Sequence, residues 1–335
     1  MTIRMIAEKC GCSPATVSKA LNGAGDVSKE TARRIRQVAD EVGYLPNAAA
    51  RAIRTSRSYC FGVLFRDNAD IGLAHEFFSG LLNGFKRQAE ELGYDIFFIS
   101  DRLGGRAIGY AEHARYRNCD GILIANEIYG KPEVRELASC GIPAVTIDYT
   151  YDGCASVLSD NFRGMRDLVR YAYDMGHRRV AFIHGEDTPV TAVRVSSFRQ
   201  SCLELGLHVP EDYVIEGFYC DPTSCEEATR RLLALETPPT CIIYPDDMAY
   251  IGGRNEIRRQ GLRIPEDISV SGYDGINLSQ MLVPRLTTVK QNPDLMGASA
   301  AQELVRAVEQ GEGYVPRQII VPGKVLPGET VGRIG

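Results

Sequence analysis

The sequence of 335 residues contains no apolar run that approaches the roughly 18 consecutive residues needed to span a membrane. Its first nine residues carry charges and have no apolar core, so we expect no secretory signal peptide and a cytoplasmic location. The ten cysteines form no CxxC pair, whereas structural zinc usually needs two close pairs. We therefore expect reduced, mostly buried thiols, with no bound metal and no disulfide framework.

The motifs of several common enzyme classes are also missing. The sequence has neither GxSxG nor HExxH, and the glycine-rich segment 104–109 does not match the GxGxxG pattern of dinucleotide sites. The five histidines lack the close spacing of metal ligands. We therefore expect neither an enzyme nor a bound cofactor.

Charge is divided unevenly along the chain, whose formal net charge is −5. Residues 1–58 hold ten Lys/Arg and five Asp/Glu, a net charge of +5, and the remaining 277 residues carry −10. A basic segment on an acidic body suggests that the segment binds a polyanion, although +5 is also compatible with an ordinary solvated surface.

The first 45 residues predict three short helices, over about 3–10, 14–21 and 29–42. Gly11 ends the first helix. Ser13-Pro14 opens the second, because serine caps a helix and proline fits its first position. Ser28 caps the third, which has an apolar stripe. Three helices with a tight glycine turn between the first two are typical of a helix-turn-helix.

The alanine-rich segment 46–53 favours a helix by intrinsic propensity, but two turns are marginal alone. A polar linker over 55–58 follows it. We expect this helix to form only when another molecule holds it.

From Tyr59 onward, apolar runs of four to seven residues alternate with amphipathic stretches. Two sets of four candidate strands have similar spacing, at 59–65, 94–99, 121–125 and 143–147, then at 179–183, 213–216, 240–244 and 267–271. This predicts one α/β unit used twice, with parallel sheets covered on both faces. Two such lobes leave a cleft at the carboxyl ends of their strands, where open α/β sheets bind ligands.

The last part of the chain predicts a strand over 286–291, a helix near 293–310 and a strand over 318–321. The simplest arrangement returns the chain to the first lobe. We therefore expect both lobes to be discontinuous in sequence.

Eight segments, in order, resemble the lactose-repressor (LacI/GalR) family of bacterial transcription regulators. They are IAEKCGCSPATVSKALNG (6–23), VSKET (27–31), GYLPNAAAR (43–51), GHRRVAFI (176–183), RVSSF (194–198), DDMA (246–249), IPEDISV (264–270) and GYD (272–274). Together they cover essentially the whole chain.

The resemblance implies an α/β protein with an N-terminal three-helix helix-turn-helix head and a two-lobed, periplasmic-binding-protein-like core with parallel sheets. It implies a DNA-binding domain over 1–45, a hinge helix and linker over 46–58, and an effector-binding and dimerisation domain over 59–335. The two lobes would comprise roughly 59–159 with 288–320, and 160–287 with 321–335.

The second helix of a helix-turn-helix places residues near its N-terminus in the major groove. The family positions that match Pro14, Ala15 and Lys19 set operator choice. The family often has arginine where Lys19 stands, and lysine lacks the rigid guanidinium fork, so we expect looser base discrimination there. The other implied DNA contacts are Ile3, Ser13, Thr16, Ser18, Asn22, Asn47, Ala50, Ile53 and Arg54.

Two interpretations of Ile53 remain open. The resemblance implies that it enters the minor groove at the centre of the operator, where the family usually has leucine and where apolar wedges are known. Alternatively, it packs only against the hinge helix of a partner subunit.

Three charged residues, Arg194, Asp246 and Asp274, match family positions that contact the effector. Carboxylates accept hydrogen bonds from sugar hydroxyls, and arginine donates a fork. The remaining candidates are the strand-end residue Asp148, its neighbour Tyr149, and the aromatic wall residues Phe77, Phe78 and Tyr219. Phe77 and Phe78 could instead be helix core, Arg194 a surface charge, and Asp274 a turn residue.

The sequence thus predicts a homodimeric regulator that binds pseudo-palindromic double-stranded operator DNA and represses carbohydrate-utilisation genes. A small sugar or sugar phosphate between the lobes would control it allosterically. Thr188 and Val190 replace the residues of the family's purine sites, which disfavours a purine. A sugar-binding protein without DNA function, an α/β enzyme, and a regulator controlled by a protein partner are the alternatives.

Overall fold

The computed structural model describes residues 2–21, 26–44, 52, 55, 57–66 and 71–334. The chain divides into two compact units, Met1–Ser58 and Tyr59–Gly335. Most of the predicted hinge over 46–58 lies outside the described residues.

The first unit contains the three predicted helices, α1 (Ile3–Cys10), α2 (Pro14–Leu21) and α3 (Lys29–Glu41). Gly11 takes a left-handed φ of 59° and ends α1, a conformation that glycine adopts without strain. The helices enclose a small apolar core centred on Ile6, Val17 and Ile35, each fully buried. The apolar faces of the three short helices therefore share one core, and packing in that core fixes the orientation of α2.

The second unit alternates strands and helices. Its strands are β1 (Cys60–Phe65), β2 (Asp95–Phe98), β3 (Arg102–Leu103), β4 (Arg106–Ala107), β5 (Gly121–Asn126), β6 (Ala144–Ile147), β7 (Ala155–Ser159), β8 (Val180–His184), β9 (Val214–Glu216), β10 (Cys241–Ile243), β11 (Ser269–Asp274), β12 (Thr287–Lys290), β13 (Gln318–Val321) and β14 (Lys324–Leu326). Its helices are α4 (Glu76–Glu91), α5 (Tyr110–Tyr116), α6 (Pro132–Ala138), α7 (Asn161–Asp174), α8 (Pro189–Glu204), α9 (Pro222–Leu233), α10 (Ala249–Arg259), α11 (Asn277–Met281) and α12 (Pro293–Gln310).

Two six-stranded sheets organise this unit into two lobes. The first sheet has the order β13-β7-β6-β5-β1-β2, and all of its pairs are parallel. The second has the order β14-β12-β11-β10-β8-β9, with β14 antiparallel at its edge and the other pairs parallel. The predicted α/β class with parallel sheets is confirmed.

Each sheet is covered by helices on both faces, so its central strands are almost wholly apolar. In the first lobe, α4 and α12 pack on one face and α5 and α6 on the other. In the second, α7 and α8 cover one face and α9 and α10 the other. This arrangement leaves only the strand ends free to build a site.

The chain crosses between the lobes three times. After β12, α12 returns to the first lobe and packs closely on α4. A Cβ at Gly84 would lie 2.1 Å from the carbonyl oxygen of Asp294, and one at Gly297 would lie 1.9 Å from that of Leu81. Only glycine permits this helix approach, which anchors the C-terminal part of the chain to the first lobe.

The crossing points differ slightly from the predicted lobe boundaries. Residues 288–290 belong to β12 in the second sheet, and Val321 belongs to β13 in the first. The rough boundaries predicted at 287/288 and 320/321 each fall inside a strand, so the observed crossings lie a few residues further along the chain. The chain crosses at Gln291–Asn292 and again between β13 and β14. Within the described parts of the chain, no helix combines the length and apolarity that a membrane crossing requires.

Candidate functional site

The candidate DNA-binding face lies on α2 of the first unit. Val17 and Ala20 point into the core, while Pro14, Ala15 and Lys19 are exposed. The remaining described candidates of this unit are exposed Ser13 and partly buried Ile3, Thr16 and Ser18. One face of α2 is therefore committed to packing and the other is available to a ligand.

The N-terminus of α2 is fixed by Ser13, whose Oγ accepts a hydrogen bond of 3.1 Å from the amide of Thr16. The Lys19 ammonium forms an ion pair with Asp26, which lowers the pKa of that carboxyl. Lys19 must exchange Asp26 for a base or phosphate to contact DNA. The predicted contacts Asn22, Asn47, Ala50, Ile53 and Arg54 lie outside the described residues.

The second unit has a cavity of about 630 Å³ between its lobes, at the carboxyl ends of both sheets. This volume suits a small organic ligand. All eight predicted effector residues line it: Phe77, Phe78, Asp148, Tyr149, Arg194, Tyr219, Asp246 and Asp274. We call the lining residues within 75–149 the first wall and those within 186–274 the second wall.

Arg194, on α8, is only 4% exposed and is not a surface charge. Its Nε donates to the side-chain oxygen of Asn161 at 2.8 Å, and its Nη1 donates to the carbonyl of Pro245 at 2.9 Å. Its guanidinium carbon lies 3.5 Å from the ring centre of Tyr273. These contacts hold the buried side chain in one orientation at the edge of the cavity.

Two buried carboxylates follow β10. Asp246 accepts hydrogen bonds from the amides of Cys220, Met248 and Ala249 at 2.7–2.8 Å, which joins the loop after β9 to the start of α10. Burial, with the nearby charge of Asp274, raises the pKa of Asp246 to about 7. Asp247 points away from the cavity and binds Ser279 and Thr288, and burial raises its pKa to about 8.

The other two candidate carboxylates have left-handed backbones. Asp148 has a φ of 51° and its carboxylate accepts two bonds from Ser159, while burial raises its pKa. Asp274 has a φ of 103° and accepts a 2.6 Å bond from the Gln291 amide. Non-glycine residues with positive φ are uncommon and costly, and they gather at functional sites. The strand ends thus direct both carboxylates towards the cavity at some cost in strain.

The first wall is largely aromatic. Phe77 is 8% exposed, so it belongs to the helix core and also lines the cavity, and its ring packs edge-on against Phe78. Tyr149 stacks on Tyr129 with ring centres 4.3 Å apart and planes 2° apart. The Tyr129 hydroxyl donates to the Ile147 carbonyl at 2.7 Å. This wall is a rigid, mostly apolar surface.

Among the described residues, two contacts join the lobes across the cleft. The Sγ of Cys220 lies 3.3 Å from Nε2 of His75, and the amide of Asn277 donates to the Glu76 carboxylate at 2.7 Å. His75 and Glu76 belong to the first lobe, at the start of α4, and their partners belong to the second. The described conformation is therefore held together at the mouth of the cavity.

Sequence reasoning missed several lining residues: His75, Asn126, Glu127, Tyr129, Glu186, Asp187, Phe218, Cys220 and Gln291. Many of them follow directly after predicted strands, which is where a parallel sheet presents its ligand-binding residues. That positional signal was present in the sequence. Whether His75 and Gln291 line the cavity depended instead on the placement of α4 and on the crossing between the lobes.

Two family models match the chain. Residues 2–47 match the model described as bacterial regulatory proteins, lacI family. Residues 169–331 match the periplasmic binding protein-like domain. The matches agree with the helix-turn-helix of the first unit and with the two-sheet architecture of the second.

Known proteins match the chain over nearly its whole length. The transcriptional repressor CytR of Escherichia coli K12 is 30% identical, covering 97% of both chains. The repressor PurR of Pasteurella multocida is 29% identical over 92% of both chains. A structure of the regulator CelR in complex with cellobiose is 26% identical, with a TM-score of 0.72, and covers 98% of this chain and 99% of that one. The chain therefore belongs to the lacI family and is a DNA-binding transcriptional repressor.

Proposed function

We propose that this protein represses carbohydrate-utilisation genes in the cytoplasm and responds to a small sugar or sugar derivative bound between its lobes. The cavity of about 630 Å³ carries this proposal, because it combines an aromatic wall with carboxylates and one buried guanidinium. Aromatic faces pack against the apolar faces of sugars, and carboxylates accept from hydroxyls. The solved structure of the relative CelR is a complex with cellobiose, which supports this ligand class.

The lining also argues against a purine. Thr188 caps α8: its Oγ1 accepts from the amide of Thr191 at 3.1 Å and donates to the Thr191 hydroxyl at the same distance. Val190 offers no polar group. These two positions therefore supply no hydrogen-bonding edge for a base.

On the DNA side, we propose that α2 enters the major groove and that Pro14, Ala15 and Lys19 contact base edges. A head of three short helices has a small contact surface, so two heads on a homodimer would bind a pseudo-palindromic operator far more tightly than one. The hinge candidates Asn47, Ala50, Ile53 and Arg54 would add contacts at its centre.

The two sites are coupled in this proposal. An effector that prefers one arrangement of the lobes shifts the population towards it and thereby changes the affinity for operator. By thermodynamic linkage, operator DNA changes the affinity for effector by the same factor. The coupling can therefore be measured from either site.

The effector site is tested by measuring the melting temperature of the full-length protein with a panel of mono- and disaccharides, sugar phosphates and nucleobases. A ligand at one hundred times its Kd stabilises the folded state by about 2.7 kcal/mol. We expect a sugar to raise the melting temperature and Arg194→Ala to abolish that shift, while Arg199→Ala, an exposed change on the same helix, retains it. A nucleobase as the only stabilising ligand would contradict the proposal.

The DNA site is tested by selecting operators from a random library and measuring affinities for single-base variants. Lys19→Ala should change which bases are preferred, since a base contact carries sequence information. Lys86→Ala, an exposed lysine of α4, serves as the control. A uniform loss of affinity over all base variants would make Lys19 a phosphate contact instead.

A further inference from the structure

The charges around the cavity are strongly one-sided. Among the described lining residues the only guanidinium or ammonium is that of Arg194, and six carboxylates surround the same space. These are Glu127, Asp148, Glu186, Asp187, Asp246 and Asp274. A cleft with this balance of charge has a negative potential, which low-dielectric walls focus into the cavity.

Only some of these carboxylates are offset by the protein. Glu127 forms a 2.7 Å ion pair with Lys131 and accepts from the Tyr110 hydroxyl. Asp246 accepts three backbone amides. The carboxylates of Glu127 and Asp246 therefore need few hydrogen bonds from a ligand.

The others retain open acceptor positions. Glu186 accepts one backbone amide, that of Tyr219, through Oε2, and Asp274 accepts from Gln291 through Oδ1. Across the described residues, no hydrogen bond or ion pair is found for the carboxylate of Asp187. The unused hydrogen-bonding capacity on the second wall therefore consists mainly of acceptors, which a ligand rich in donors would satisfy.

Arg194 does not balance this charge for an incoming anion. Its Nε and Nη1 are occupied by Asn161 and the Pro245 carbonyl, and the Tyr273 ring covers one of its faces. Recognition of a phosphate or carboxylate favours a guanidinium fork with parallel donors. Two of the five N–H donors of this guanidinium are already used inside the second lobe, and six carboxylates outnumber its single positive charge.

The aromatic side chains on both walls of the cavity point to the same class of ligand. Aromatic rings present a negative face, which attracts cations. Tyr129, Tyr149, Phe78 and Tyr219 all line the cavity. They therefore offer a surface for the apolar face of a sugar or for an alkylated or protonated amine, and no positive charge for an anion.

We propose that the effector is a polyhydroxylated molecule without an anionic group, either uncharged or carrying an amine, and that the cleft excludes sugar phosphates and uronates. This inference rests on the proposed carbohydrate function and narrows it. Glu186, Asp187 and Asp274 are the residues that set the charge preference.

The test uses the full-length protein and two matched series of probes: glucose, glucosamine, glucose 6-phosphate and glucuronate, and the four galactose counterparts. Melting temperatures and titration calorimetry give the affinity of each. We expect the stabilising ligand to be a neutral or amino member, with its phosphate and carboxylate counterparts at least 100-fold weaker. An anionic member that binds as well as or better than its neutral counterpart overturns the charge preference and leaves the carbohydrate proposal intact. If no member of either series binds, both the charge preference and the carbohydrate proposal are overturned.

A variant separates charge from shape. Asp187→Asn keeps the size of the side chain and removes its charge, so discrimination between the neutral sugar and its phosphate should fall by about ten-fold. Asp152→Asn, an exposed loop change outside the cavity, should leave it unaltered. An Asp187→Asn protein with the same neutral-to-phosphate ratio as the parent would show that fit, and not charge, excludes the anion.

Discussion

The two walls of the cleft differ in how the protein stabilises their buried carboxylates. On the first wall, burial tends to raise the pKa of Glu127, but the Lys131 ammonium, the Ile128 amide and the Tyr110 hydroxyl hold it below its ordinary value. On the second wall, burial dominates, and the pKa of Asp246 rises to about 7. Glu127 of the first wall is therefore neutralised by partners within the protein, although burial raises the pKa of Asp148 on the same wall. On the second wall, Glu186, Asp187 and Asp274 keep acceptor positions that the donors of a ligand would satisfy.

The difference follows from what each lobe contributes. The first lobe supplies paired rings, with Tyr129 stacked on Tyr149 and Phe77 packed edge-on against Phe78, and these pairs need no further partner. The second supplies Arg194 and most of the carboxylates. We infer that the first wall provides a preformed surface and the second determines which ligand is accepted.

The largest effect should come from Arg194→Lys. A lysine cannot replace both guanidinium bonds, and it leaves the Asn161 oxygen or the Pro245 carbonyl unsatisfied in a buried site. We expect a loss of about 3 kcal/mol in the free energy of unfolding, measured by denaturant titration, and loss of effector binding. Arg199→Lys, exposed on the same helix, is the control. An Arg194→Lys cost no greater than that of the control would remove the distinction between the walls.

A smaller effect concerns pH. Asp246 and Asp247 have pKa values raised to about 7 and about 8 in the folded protein, well above the value of about 4 in an unfolded chain. Above pH 4, these two groups therefore bind fewer protons in the unfolded chain than in the folded protein. The stability contributed by these groups is complete below pH 4 and is lost as pH rises through 7–8.

We expect the melting temperature to fall by on the order of 5 °C between pH 5 and pH 8.5, and Asp247→Asn to remove much of that slope. Glu266→Gln, which changes an exposed carboxylate of the same lobe, should retain it. A parallel slope in the parent and in Asp247→Asn would show that Asp247 is ionised in the folded protein over this pH range and does not cause the loss of stability.

On the first wall, Tyr149→Leu removes the stacked ring while leaving Tyr129 bonded to the backbone. An aromatic contact contributes about 1 kcal/mol beyond burial, so effector affinity should fall by about five-fold with little change in melting temperature. Tyr116→Leu, on an exposed position of α5, is the control. A change in the neutral-to-phosphate preference of Tyr149→Leu would assign selectivity to the first wall as well.

The smallest effect should come from the contact that joins the walls. Cys220→Ala removes the Sγ that lies 3.3 Å from His75 Nε2, while the Glu76–Asn277 bond across the cleft remains. One weak hydrogen bond of this kind supports a two- to three-fold loss of effector affinity, on the order of 0.5 kcal/mol. Titration calorimetry beside Cys140→Ala gives the comparison. Unchanged affinity would mean that His75 and Cys220 do not stabilise the bound arrangement.

Much of the fold could be predicted because its signals are local. The helix Pro293–Gln310 and the strand Gln318–Val321 were predicted with their observed bounds, and the three head helices within one or two residues. β7, Ala155–Ser159, was missed because its five residues mix small, apolar and polar side chains. β14 was missed because three edge residues carry too little pattern to distinguish a strand from a loop.

The candidate site was only partly predictable. The resemblance predicted eight effector candidates, and all eight line one cavity. The burial of Arg194, however, could not be predicted from the sequence of its helix. α8 buries the polar residues Thr191, Arg194, Ser197 and Ser201 beside Phe198 and Cys202, so the usual apolar signal of a buried face is weak. Arg194 donates to Asn161 and Pro245, and Ser197 donates to Phe162. These partners lie on other elements, and only the packing of α7, α8 and the loop after β10 brings them together.

The sequence by itself determined the helix-turn-helix head, the repeated α/β pattern, the division of charge between head and body, and the residues that end the strands, because periodicity, capping and charge are properties of neighbouring residues. Only the tertiary structure decided which carboxylates are neutralised and which face the cavity with open acceptors. That outcome depends on groups such as Lys131, Ser159 and Gln291 and on three crossings between the lobes. Burial and electrostatic pairing join residues far apart in the chain, so the preference for a ligand without negative charge follows from the fold and not from any single segment.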